Sequence, residues 1–179
     1  MLSGSVSRRY ARAVVSIGEA EGNLEVLAAE VGRLAEAVEQ SADLRTVLLN
    51  PAFSQSQRQQ VLEHVCARLA LSKTSQNLAK LLLARGRMAN VPGIAKSLRQ
   101  MVDDVAGRVR VRLASAAPLD EATEVRIRSA LGRATGKTVI VEKTVDASLL
   151  GGVVAQVGDL VYDGSLRGEL RNLRARWQQ

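Results

Sequence analysis

The stretch VDASLLGGVVAQVGDLVYDGSLRGEL, from Val145 to Leu170, decides the fold of the C-terminal part of this chain. Gly151 and Gly152 permit a positive φ or a close backbone approach where a side chain would clash. Gly158 and Asp159 read as a two-residue turn joining strand residues Val153–Val157 to Leu160–Tyr162. A second turn is expected at Asp163 and Gly164. Ser165 then stands where a helix cap would, ahead of Leu166, Leu170, Leu173 and Trp177 at helical spacing. Backbone geometry, more than reactive chemistry, is what this segment specifies.

Working outward, the period of two begins near Gly107. Val109, Val111 and Leu113 alternate with Arg108, Arg110 and Arg112, giving a strand with one apolar and one cationic face. Pro118 and Asp120 open a helix containing Ile127 and Leu131, Gly136 closes it, and Thr138–Val141 begins a further strand. The expected order is strand, helix, strand, hairpin, helix. Upstream, from Val6 to Val105, the apolar spacing is helical throughout. Val6, Tyr10, Ala13, Val14 and Ile17 form one stripe that Gly22 ends, and Leu24, Leu27, Val31, Leu34 and Val38 form a second, with Glu25, Glu30, Arg33, Glu36 and Glu39 between them. Ser41 caps a short helix that Asn50-Pro51 terminates. Ser54 or Ser56 opens the next, carrying Val61, Leu62, Val65 and Leu69. A helix from about Thr74 turns Leu78, Leu81 and Leu82 inward and stops near Gly86, and the last runs from about Asn90, with Pro92 in its first turn, to Val105. The fold class is therefore mainly α with a small α+β domain. Residues 1–105 are read as an N-terminal six-helix bundle, and residues 106–179 as a C-terminal domain with a short β-sheet and two helices, the two joined by a long helix.

Composition limits the chemistry. Apolar residues make up 46% of the 179 and charged residues 24%, but only Tyr10, Phe53, Tyr162 and Trp177 are aromatic. Such a core suits helix packing and leaves few platforms on which bases or sugars could stack. The net charge of +7 is spread as +3 before residue 106 and +4 after it, with no concentrated basic tail. The single Cys66 excludes an intramolecular disulfide and a thiolate-cluster metal site. No segment approaches the roughly 20 apolar residues that span a bilayer, and the N-terminus lacks a signal-like apolar run. A soluble chain is expected, with membrane association only through partners.

No catalytic, cofactor or metal site is read. Gly132-Arg-Ala-Thr-Gly136-Lys137-Thr138 echoes a phosphate loop, but it has three residues between its glycines rather than four and lies between a helix and a strand in the wrong order. His64 and Cys66 sit two apart on a helix and point apart. Asp103 and Asp104 are adjacent, so their carboxylates diverge, and they read as helix-surface groups. Asp146 and Asp163 stand beside turns, where carboxylates accept backbone N–H bonds. The arginines of Arg108–Arg112 support one alternative, an RNA-binding adaptor, against a solvated or cross-strand-paired charged face.

Several motifs in order resemble a known family. Ser7-Arg-Arg-Tyr-Ala-Arg-Ala13, Leu48-Leu-Asn-Pro51, the run from Leu81 to Ile94, and above all the glycines, aspartates and Ser165 of the opening segment are similar to the δ subunit of bacterial F-type ATP synthases, relatives of the mitochondrial oligomycin-sensitivity-conferring protein. Ala84-Arg85-Gly86, in place of a more polar turn, and Leu98, in place of a frequent aromatic, depart from the family pattern. The resemblance implies a non-catalytic stator subunit without cofactor, present once per complex, peripheral to the cytoplasmic face of the bacterial inner membrane, and not a direct nucleic-acid binder. It implies that the N-terminal bundle receives N-terminal segments of the α subunits, and that the C-terminal domain engages the end of the b subunit. By that analogy Tyr10, Ala13, Val14, Ile17, Leu78, Leu81 and Leu82 form a partner-binding groove, while Gly151, Gly152, Gly158, Asp163, Gly164 and Ser165 are turn and cap residues.

Overall fold

The structure, a computed structural model, describes residues 3–158, 160–168 and 170. It divides between Val102 and Asp103 into two compact units. The first holds α1 (Ser3–Glu21), α2 (Leu24–Gln40), α3 (Ala42–Leu49), α4 (Gln55–Arg68) and α5 (Lys73–Ala84), followed by a 3-10 turn at Met88–Asn90 and by α6 (Val91–Val105), whose last turn crosses the division. The second holds β1 (Arg108–Ser115), α7 (Glu121–Thr135), β2 (Thr138–Val145), a 3-10 turn at Ala147–Leu149, β3 (Gly152–Val157) and β4 (Leu160–Ser165). The protein is mainly α-helical with one small sheet.

Local chemistry sets the helix ends. The Ser41 hydroxyl accepts from the Leu44 amide, and Ser54 forms a reciprocal capping box with Gln57, so Ser54 rather than Ser56 opens α4. Ser72 caps α5, which therefore starts at Lys73, before the expected Thr74. α6 begins at Val91 because Met88–Asn90 close a tighter turn ahead of it. Gly22 and Gly86 end their helices at φ of +68° and +63°.

The core of the helical unit is almost wholly aliphatic. Leu27, Val31, Leu34 and Val38 of α2 meet Leu48, Leu62, Leu82, Ile94 and Leu98, each burial contributing about 1.5–3 kcal/mol. Two expectations turn out differently. The buried side of α1 is Ser7, Ala11, Val14, Val15 and Gly18, not the more apolar stripe of Val6, Tyr10, Ala13, Val14 and Ile17. Close approach explains this: a Cβ on Gly18 would lie 2.7 Å from the Leu24 Cα, and one on Gly93 would lie 2.7 Å from the Ser7 Oγ. Small residues let α1 sit tightly against its neighbours, so they win the buried side over larger apolar ones. Glu30, expected on the polar face of α2, is buried instead. Its carboxylate accepts from the Ser72 amide at 3.1 Å and from the Ser72 hydroxyl at 2.6 Å, holding α2 to the N-terminus of α5.

In the second unit the strands lie in the order β2-β1-β3-β4, with β1 and β2 parallel across the α7 connection and the other pairs antiparallel. Val111, Leu113, Val139 and Ala155 are buried on the sheet face covered by Ile127 and Leu131 of α7. Asp120 caps α7, and Gly136 ends it in the left-handed region at φ +65°. The hairpin pairs Val157 with Leu160, as a two-residue turn requires, and Gly158 supplies a φ of +59°; Asp159 lies outside the described residues. The expected turn at Asp163-Gly164 is corrected. Both residues belong to β4, Asp163 opposite Val154 and Gly164 opposite Val153. The strand continues because Gly152, at φ +78°, brings β3 so close that a Cβ there would stand 2.2 Å from the Gly164 carbonyl oxygen. Positive φ falls on Leu150 and Gly152, while Gly151 provides room for the Leu166 side chain. Ser165 caps as expected: its Oγ accepts from the Gly168 amide, and the chain enters helix at Leu166. Leu173 and Trp177 lie outside the described residues.

Two outcomes are expected. Burial alone would push the Glu30 carboxyl up, but hydrogen bonds from the Ser72 hydroxyl and amide, with Arg33 nearby, hold it below its ordinary value of 4.5. A lowered native pKa contributes stability that is complete above the unfolded value and fades as pH falls through the native one. In urea titrations Glu30→Gln should cost about 1–3 kcal/mol at pH 7, and its deficit against wild type should shrink below pH 4.5. An equal deficit at pH 7 and at acid pH would contradict the assignment. Gly152→Ala should be the more damaging of the two paired-glycine substitutions, because the alanine Cβ meets backbone at Gly152 but only a movable leucine tip at Gly151; thermal melts of the two variants decide the order.

Candidate functional site

The seven groove candidates separate by burial. Val14 and Leu82 belong to the closed core, and Tyr10 and Leu78 are half-buried against it. Ala13, Ile17 and Leu81 face outward, Ile17 at 42% and Leu81 at 44% exposure. The inward direction expected for Leu81 is thus corrected: Ala79, Leu82 and Leu83 fill the buried side of α5, and Leu81 falls between turns of that stripe. Both α1 and α5 pack against α2 and against the turn at Met88–Asn90. Outside stay Ala13 and Ile17 on α1 and Leu81 on α5.

A residue the sequence reading passed over joins them. Arg87 follows the Gly86 bend, donates to the Tyr10 hydroxyl at 2.8 Å, and carries its guanidinium 5.5 Å from the centre of the Tyr10 ring. One charged group thus holds the only aromatic of α1 by both its edge and its face. The hint in the sequence is a cation directly after a helix-ending glycine, a weak signal without knowing which helix returns beside it.

The cationic face of β1 is largely paired from within. Asp103, in the last turn of α6, accepts from Arg110 at 2.5 Å and lies 3.4 Å from the Arg108 Nε; Arg110 also reaches Glu142 at 3.4 Å. Arg112 stands 3.9 Å from the same glutamate. Asp103 is buried, so its expected place on the helix surface is corrected: the arginines opposite supply the charge and hydrogen bonds that permit its burial. Asp104 points away, to Lys137 at 3.0 Å. Asp103 and Glu142 offset two of the three positive charges and leave the Arg112 side chain 71% exposed, so most of the cationic row on which the RNA-binding reading rested is engaged within the protein.

Reactive groups elsewhere are engaged or enclosed. The His64 Nδ1 lies 2.8 Å from the Gln60 carbonyl on the exposed side of α4. Cys66 is buried, and that burial pushes its thiol up, away from the thiolate a nucleophile needs. Residues 132–138 run from the end of α7 into β2, so Gly136 is a helix cap. The Asp146 carboxylate accepts from the Ser148 amide, as a turn-flanking carboxylate does, and that of Asp163, within β4, accepts from the Ser165 amide. Among the described residues no helix is long and apolar enough to cross a membrane.

Beyond the groove, the second unit exposes Leu160, Val161 and Tyr162 on β4 and Leu166 and Leu170 just after it. β4 ends the sheet order, so these side chains lie on or just after an edge strand, Leu160 and Tyr162 on one face and Val161 on the other.

Comparison with known proteins agrees with the geometry. The family profile described as ATP synthase delta (OSCP) subunit matches residues 6–176. The chain is 45% identical over 179 residues to ATP synthase subunit delta of Anaeromyxobacter dehalogenans (strain 2CP-C), covering 100% of both chains. It is 39% identical to the subunit delta of Geobacter metallireducens, covering 97% of each, and 38% identical to that of Myxococcus xanthus, covering 100% of each. A chain in the cryo-EM structure of the Toxoplasma gondii mitochondrial ATP synthase hexamer has the same fold, with a TM-score of 0.71 at 19% identity and 97% coverage of both chains.

The Tyr10–Arg87 contact has a measurable signature. Tyr10→Phe, which removes the hydroxyl acceptor but keeps the ring, should lower stability by about 1 kcal/mol in urea unfolding, and Arg87→Met by somewhat more because the ring contact goes too. Wild-type stability in Arg87→Met would show the contact to be incidental.

Proposed function

The chain belongs to the ATP synthase delta (OSCP) subunit family, and from that premise we propose that it clamps the catalytic head to the peripheral stalk through two separate docking surfaces. It is the delta subunit of an F-type ATP synthase, a component of the peripheral stalk. In this reading α1–α6 act as one six-helix bundle, residues 1–105, that receives amphipathic N-terminal segments of the α subunits. Residues 106–179 hold the end of the b subunit. One copy serves each complex at the cytoplasmic face of the bacterial membrane, with attachment to the membrane sector only through the other subunits, and the chain catalyses nothing itself.

The observation that carries the head-docking half is the rotation of α1. The helix buries Ser7, Ala11 and Gly18 and leaves Ala13 and Ile17 outside, opposite the usual economy of apolar surface. With Leu81, and with Tyr10 and Leu78 beneath, these side chains suit a partner helix that inserts apolar anchors at three- and four-residue steps. Val14 and Leu82 support the floor from within the core. For the stalk-docking half, support comes from the exposed Leu160, Val161 and Tyr162 of β4 and from Leu166 and Leu170.

The mechanism is mechanical. Proton flow turns the rotor, and the head would turn with it unless the stalk holds it still. A clamp under torque needs wide contact and slow dissociation, not perturbed acids. Ala13→Glu and Leu81→Glu place charges on exposed positions, so both variants should fold. Each should weaken binding to head particles lacking this subunit by at least about tenfold, since a carboxylate buried at the contact has no partner. In reconstituted membranes, ATP hydrolysis should persist while proton pumping falls. Folded variants that bind the head with undiminished affinity would rule out this surface.

A further inference from the structure

Resting on the head-docking reading above, we propose that the outward basic row of α1, Arg8, Arg9 and Arg12, is a specificity element that selects a partner helix carrying carboxylates along one flank of its apolar face. The three arginines stand on the exposed side of α1 beside Ser5, Ala13 and Ser16. Among the described residues none of the three guanidinium groups forms an ion pair; the Arg8 Nε donates to the Gly4 carbonyl at 3.3 Å. Some cations elsewhere are paired, Lys80 with Glu63, Arg110 with Asp103, Arg128 and Lys143 with Glu124, Lys137 with Asp104. Three like charges within two turns repel one another and disfavour the isolated helix. Nothing in the fold requires them, since they neither fill the core nor cap a helix end.

Their placement relative to the docking strip identifies the occupant. Residues four apart on a helix are surface neighbours, so Arg9, Ala13 and Ile17 form one row, with Arg12 and Ser16 on its side away from Tyr10. A partner helix seated along Ala13 and Ile17 therefore runs with one flank over Arg9 and Arg12. Carboxylates at three- or four-residue steps on that flank would meet guanidinium groups that hold them by paired hydrogen bonds. Ala13 and Ile17 expose little apolar area, not the broad face that settling on a lipid surface would need. The row thus fixes which way round an amphipathic segment lies, a task that apolar anchors alone perform poorly.

The test uses the full chain and two helical peptides of about five turns, identical in their leucine and isoleucine anchors, one with glutamates along a single flank and the other with glutamines there. By calorimetry at low ionic strength the glutamate peptide should bind about fivefold more tightly, and added salt should erase the difference. Arg9→Ala/Arg12→Ala should bring the glutamate peptide down to the affinity of the glutamine peptide without altering the latter. Equal binding of both peptides to wild type overturns the inference but leaves the apolar groove standing, whereas binding of neither overturns both. Anionic phospholipid vesicles that capture the wild-type chain and compete with the glutamate peptide would assign the arginines to a membrane surface instead.

Discussion

Close approach of α1 to its neighbours is the constraint from which the surface of the helical unit follows. Backbone can come near backbone only where side chains are small, and Ser7, Ala11, Gly18 and Gly93 meet that condition. Once Ser7, Ala11 and Gly18 take the inner side of α1, the remainder of the helix has no freedom. Its larger apolar side chains are turned to the margin and its arginines to the far side. A helix rotated to bury Ile17 instead would drive Arg9 and Ser16 nearer the core and leave glycine exposed, losing several contacts for one.

Two buried carboxylates organise what apolar packing cannot. Aliphatic side chains fill volume but slide readily against one another, and only a directional contact sets which turn of one helix faces which turn of the next. Glu30 provides that setting between α2 and the start of α5, and Asp103 provides it between the last turn of α6 and β1. Each acid is compensated at once by donors fixed in the backbone or on a neighbouring strand, so neither stands as an isolated buried charge.

The sequence made the order of elements readable because caps and periods are local. Ser41, Gly22, Gly136 and the alternation from Val109 to Leu113 act within a few residues of themselves, and each placed its boundary within a residue or two. What stayed hidden depended on residues far apart in the chain. The outward turn of Leu81, the burial of Glu30 and Asp103, and the meeting of Arg87 with Tyr10 each involve a partner that only the folded chain brings near. The expected Asp163-Gly164 turn failed for the same reason: the dipeptide is a turn signal on its own, but Gly152 lies across the ladder and makes strand the better choice. Of the groove candidates, the helices were legible from their stripes, whereas the rotation that decides which side chains meet solvent was not.

The enclosed Cys66 has a practical corollary. As the only cysteine of the chain, buried and with its thiol held in the protonated form, it should react poorly with thiol-directed reagents while the fold is intact. The unmodified protein is therefore already a quiet background for labelling. A cysteine introduced at an outward position such as Ser16 or Tyr162 would become the single reactive point, allowing a fluorophore or a cross-linker to report on either docking surface without first removing a native residue from the core.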